Sequence, residues 1–160
     1  KLSKTKYSDQ LFPPGSTTLS YSSNYRELFK DIKWVRLQEM FPYSMRAMLK
    51  GKPNEDHLQN IITPGVFKQF KYRLIALIRY QEIESFINIV RKPIINKEGI
   101  YYVRIFHEGV WKYVIVDDYI PVMKKDNKPA FIDILQNHKI EVWPFLLQKA
   151  FAKFTHAINF

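Results

Sequence analysis

Residues 107 to 121 read HEGVWKYVIVDDYIP, and two adjacent carboxylates, Asp117 and Asp118, stand where an apolar run ends. Paired acids can act as general acid and base, or as hard oxygen ligands for a divalent cation. The run before them is β-branched and aromatic, which predicts a strand. Successive side chains on a strand point to opposite faces, so the pair does not converge on one substrate atom while the strand lasts. The pattern favours a structural role in which one aspartate caps or ties down the loop that follows. A calcium site completed by Asp126 or Asn127 is the metal alternative, but the spacing matches no EF-hand loop, and no metal is expected.

Other catalytic chemistry finds little support. His57, His107, His138 and His156 are far apart and none has a zinc spacing such as HxxxH, so each reads as a surface or interface residue. There is no GxSxG elbow, and 5 glycines make no Gly-rich phosphate cradle. The chain contains no cysteine, which excludes disulfides, thiolate metal sites and thiol catalysis within this segment. No cofactor is expected.

The elements that position the carboxylates come from a chain of 160 residues, long enough for one globular unit, with 46% hydrophobic and 16% aromatic residues for its core. It begins at Lys1 rather than a methionine, so a piece of a longer protein is expected. No run approaches the roughly 18 apolar residues of a membrane helix, and a soluble chain is expected. The formal charge of +10 suits an acidic partner. Nucleic acid is the weaker choice, because 18 dispersed lysines outnumber 7 arginines and arginine is the better phosphate and guanine reader.

Residues 1–30 are rich in Ser, Thr, Pro and Gly with spaced aromatics, and read as an extended arm. Its Phe12, Tyr21 and Phe29 could pack on the body or on a neighbour. Residues 31–160 form the body. Trp34, Leu37, Met40 and Phe41 are available for burial, with Pro42 to interrupt a helix. Phe67, Phe70, Leu74, Leu77, Ile78, Phe86 and Val90 fall near helical spacing and predict a long helix over 64–92, with Thr63 as cap, Pro64 in the first turn and Pro93 as stop.

A hairpin over 100–117 follows, turned at His107, Glu108 and Gly109, with Tyr101, Val103 and Ile105 on one face. Last comes an amphipathic helix. Trp143, Leu146, Leu147, Ala150, Phe151 and Phe154 fall at i, i+3, i+4, i+7, i+8 and i+11, with Pro144 in the first turn. Lys149 and Lys153 are expected on its opposite, wet face.

The order of these pieces resembles the first half of the protease core of the calpain family. Trp34, Arg36 and Glu39 form a WxRxxE segment before the long helix. GIYYVRIFHEGVWKYVIVDDYIPV and EVWPFLLQKAFAKF then resemble the family's YxVRxF, GxWxxVxVDDxLP and FWxxLLEKAYAKL motifs. The resemblance runs from Trp34 to the end of the chain. It implies an α+β, papain-like amino-terminal subdomain, in which Trp34, Asp117, Asp118, Trp143 and Leu147 are structural.

The family's nucleophile is the cysteine of a GDCWFL motif at the start of the long helix. Here the corresponding window is PGVFKQFKYRLIAL, and alignment back from YQEIESF puts the nucleophile's position at or near Lys68. Gln59 is available as the family's oxyanion glutamine, without a motif to assign it. The histidine and asparagine partners belong to a second subdomain.

Within the family the nearer resemblance is to the androglobins, large chimeric proteins of ciliated and flagellated cells, through DDYIPV and EVWPFLLQKA. That implies a catalytically inactive, protein-binding module in a cytoplasmic or axonemal assembly, with tubulin or axonemal proteins as partners and no nucleic acid or membrane. Its contacts are expected from Phe12 and Tyr21 of the arm and from Gly65, Phe67, Lys68 and Lys71. The competing readings are half of an active calpain-type protease whose nucleophile was replaced or lies elsewhere, and a basic nucleic-acid-binding domain.

Overall fold

The computed structural model describes residues 5–15, 30–41, 46–47, 61–62, 97–131, 133–134 and 140–158. Helix and strand are mixed. In chain order these are β1 (Ile32–Arg36), the single turn α1 (Leu37–Met40), β2 (Arg46–Ala47), β3 (Ile61–Ile62), β4 (Ile100–His107), β5 (Val110–Asp117), β6 (Tyr119–Met123), β7 (Asp133–Ile134), β8 (Ile140–Glu141) and α2 (Trp143–Ile158). The expected long helix over 64–92 lies outside the described residues.

The β4–β5 hairpin forms where alternation and turn chemistry require it. The two strands pair antiparallel from Ile100 opposite Asp117 to His107 opposite Val110. The connection is two residues, Glu108 and Gly109, both at positive φ (51° and 78°). That backbone matches the right-handed twist of the flanking strands, and glycine adopts it without a Cβ penalty. Tyr101, Val103 and Ile105 point inward as expected, with Val114 and Val116 beside them.

Helix α2 closes this face. Trp143, Leu146, Leu147 and Ala150 join the hairpin's inner side chains in one buried cluster, and Phe151 and Phe154 pack at its margin. Phe145, outside the expected stripe, is buried too and meets Phe41 with ring centroids 5.7 Å apart. The first two turns of α2 are therefore covered on most sides, and an apolar stripe understates their burial. The Trp143 indole N–H donates to Glu141 Oε2 at 2.9 Å, which satisfies the one polar atom of a large buried ring.

Strand β6 pairs antiparallel with β1, placing Trp34 opposite Pro121 and Arg36 opposite Tyr119. This carries the WxR segment to the end of the hairpin. The described part of the arm is docked on the body: the Tyr7 amide donates to the Glu98 carbonyl at 2.8 Å, and Phe12 is 2% exposed.

Candidate functional site

The hairpin ends in a buried cluster of charges built around the two aspartates. Asp117 is the last residue of β5 and Asp118 the first after it, so their side chains diverge, as the period of two requires. Both are fully buried. A buried carboxylate is costly unless cations and hydrogen bonds compensate it, and each has its own set.

Asp117 is held from three directions. Its Oδ1 accepts from the Tyr119 amide two residues on, at 3.0 Å, a local tie of the kind expected of a strand-end aspartate, although it fastens the end of β5 to the start of β6 and not to a loop. The same oxygen pairs with the Lys149 ammonium from α2. Its Oδ2 accepts from the Asp9 amide at 2.7 Å, so one side chain joins hairpin, closing helix and arm. Lys149 also donates to the Tyr119 carbonyl at 3.0 Å, and its Nζ lies 5.2 Å from the Trp34 ring centroid. Burial pushes the Lys149 ammonium below its ordinary pKa, and the charge of Asp117 reverses this only in part.

Asp118 faces β1. Its Oδ1 pairs with the Arg36 guanidinium and its Oδ2 accepts from the Gln38 amide at 3.1 Å, while its backbone carbonyl takes the Leu37 N–H at 2.9 Å. Arg36 lies 4.1 Å over the Tyr119 ring. Burial opposes its charge, but the hydrogen bond and the charge of Asp118 outweigh it, and Arg36 is raised above the ordinary arginine value.

The cluster extends outward through Asp9, which accepts from Lys153 at 2.6 Å and from the amides of Leu11 and Phe12. Lys153 also donates to the Ile115 carbonyl at 2.8 Å. The expectation of a wet face for Lys149 and Lys153 is thus corrected. Both turn to the carboxylates, because two buried acids next to a helix need cations and the i, i+4 spacing puts two lysines on one line of that helix.

Every carboxylate oxygen of Asp117 and Asp118 is bound by a protein donor. This is the chemistry of a clasp, not of a proton-transfer pair. Asp126 is exposed and accepts from the Lys128 amide at 3.1 Å, apart from both aspartates.

The other expected site residues separate into two groups. Trp34 is half-buried beside Lys149, Trp143 and Leu147 are in the core, and Phe12 packs inward on its own chain. Tyr21, Gln59, Gly65, Phe67, Lys68 and Lys71 lie outside the described residues, as do His57 and His138. His107 stands at the hairpin end, 5.1 Å from the Phe154 ring and 3.6 Å from the Glu108 carboxylate. No helix among the described residues is long and apolar enough to cross a membrane.

Known proteins resemble this chain in sequence. Residues 7–159 match the family described as calpain family cysteine protease. The calpain-type cysteine protease ADL1 of Oryza sativa subsp. japonica is 30% identical over 154 residues, 92% of this chain and 7% of its own length. The calpain-type cysteine protease DEK1 of Arabidopsis thaliana is 28% identical over 155 residues, again 92% of this chain and 7% of its own. Androglobin of Mus musculus is 35% identical over 63 residues, 38% of this chain and 4% of its own. The chain thus spans a small fraction of the length of the relatives it matches.

Proposed function

Because the chain belongs to the calpain family of cysteine proteases, we propose that it is the amino-terminal, papain-like subdomain of that core, without protease chemistry, serving as a protein-binding module in a larger assembly. One observation carries the reading: none of the 160 residues is cysteine, including the whole matched span. A papain-like site needs a polarisable thiolate that forms and then releases an acyl-enzyme, and a lysine at or near position 68 does neither.

The charge cluster supports a structural use of what remains. It fastens arm, hairpin, β1 and α2 into one unit and consumes the hydrogen-bonding capacity of its acids in doing so. The +10 charge suits acidic partners, such as tubulin surfaces. The cytoplasmic, axonemal setting rests on the likeness to androglobin.

The test is purification of the full-length protein from its native cell with mass spectrometry of what accompanies it, alongside a cysteine-directed activity probe. Stable recovery with protein partners and no labelling is expected. Labelling that blocks peptide cleavage would establish the protease reading, and recovery as a free monomer, or chiefly with ribosomes or chromatin, would overturn the module.

A further inference from the structure

The β4–β5 hairpin has an outer face that the core leaves uncovered. Tyr102 is 52% exposed, Tyr113 62% and Ile115 45%. They alternate along the strands with Tyr101, Val103, Val114 and Val116, which are buried, so their exposure follows the period of a well-formed hairpin. Tyr102 is paired with Ile115, and Arg104 with Tyr113. The Arg104 guanidinium lies 4.5 Å over the Trp111 ring, which leans on the core, and 5.7 Å from the Tyr113 ring; its Nε is buried beneath these rings without a hydrogen-bond partner. Exposed tyrosines around a stacked arginine have the composition of an interface centre.

We infer that this face docks an acidic protein segment that also carries apolar side chains. The inference deepens the binding-module reading and rests on it. Charge selects the occupant: a second copy of a chain at +10 is repelled, while Arg104, the charged residue within the exposed pairs, attracts a carboxylate and holds it between apolar contacts. Ring geometry separates protein from single-stranded nucleic acid. Tyr102 and Tyr113 meet edge to face, 6.3 Å apart at 71°, and so pack on each other instead of lying flat as platforms for bases.

The test is fluorescence anisotropy of the full-length protein with a fluorescein-labelled peptide of alternating glutamate and leucine. Saturable binding is expected, weakened about tenfold, or about 1.4 kcal/mol, in Arg104→Gln and in Tyr113→Ser. Tyr113→Phe keeps the ring and retains binding, and circular dichroism confirms that each variant is folded. Lys125→Gln removes the same charge from an exposed turn and leaves binding unchanged. Equal weakening in Lys125→Gln would show attraction by net charge alone and overturn the inference. So would absence of saturable binding, or tighter binding of an oligouridylate than of the peptide. If those outcomes arise while the protein still copurifies with its partners and ignores the cysteine probe, the module reading stands and this face is not its contact.

Discussion

The inner and outer faces of the β4–β5 hairpin share one backbone, one register and one turn, yet they face different solvents. Tyr101, Val103, Ile105, Val114 and Val116 point inward and join Trp143, Leu146 and Leu147 in the core. Tyr102, Tyr113 and Ile115 point outward and stay accessible. The strand period alone makes this division. Under the proposed function, the inner half holds the domain together and the outer half is the one that meets a partner. Substitutions on the two faces should therefore differ sharply in what they cost.

The largest effect is expected where the inner face ends. Asp117→Ala strands the Lys149 ammonium in the interior and should cost about 3–5 kcal/mol, measured by urea denaturation. Next comes the apolar inner face itself: Ile105→Ala should cost about 2–5 kcal/mol by the same measurement. Gly99 follows, at φ 69°, where an added Cβ would sit 2.9 Å from Asp118 Oδ1 and 3.0 Å from the Arg36 guanidinium. Gly99→Ala should cost at least about 1–2 kcal/mol from the left-handed backbone alone. On the outer face, Tyr113→Ser should change stability by no more than about 1 kcal/mol, the worth of a cross-strand ring contact. A loss there as large as that of Ile105→Ala would abolish the contrast.

A pH series sharpens the same comparison without a change of side-chain size on the outer face. Burial lowers the Lys149 pKa, so the unfolded chain binds that proton more tightly than the folded one. The contribution of Lys149 to stability is then flat below its folded value and rises with pH from there towards the ordinary lysine value of 10.5. Tyr7 is raised from 10.0 by burial and by Asp9 and Asp117, and it contributes the opposite slope above that pH. Subtracting the stability of Lys149→Met from that of the parent at each pH isolates the rising slope. A flat difference would contradict a buried, depressed lysine.

What was legible in the sequence follows from what periodicity encodes. The hairpin, its glycine turn, the inward set Tyr101, Val103 and Ile105 and the stripe of α2 are all consequences of periods near 2 and 3.6 within a few adjacent turns or residues. The local hydrogen bond of Asp117 was legible for the same reason, since the Tyr119 amide that it binds is two residues away. Lys149 and Lys153 were misplaced because a helical period gives direction around an axis and not depth below a surface. Their partners, Asp117 and Asp9, come from segments distant in sequence, and pattern reading along one element does not see them. Packing of the arm on the body or on a neighbour was an open choice in the sequence, and its polar contacts were hidden likewise, because two of them are made by backbone amides, those of Tyr7 and Asp9, which every residue except proline possesses. The missing nucleophile needed no geometry at all.

The central claim, a calpain-family domain without calpain chemistry, is tested most directly by peptide-bond cleavage. The full-length protein would be assayed on a fluorogenic calpain-type peptide, with and without divalent cations, and with and without a cysteine-directed inhibitor. No turnover above the buffer rate is predicted under any of these conditions. Turnover that the inhibitor abolishes would contradict the account, because it would require a thiolate that these 160 residues do not contain.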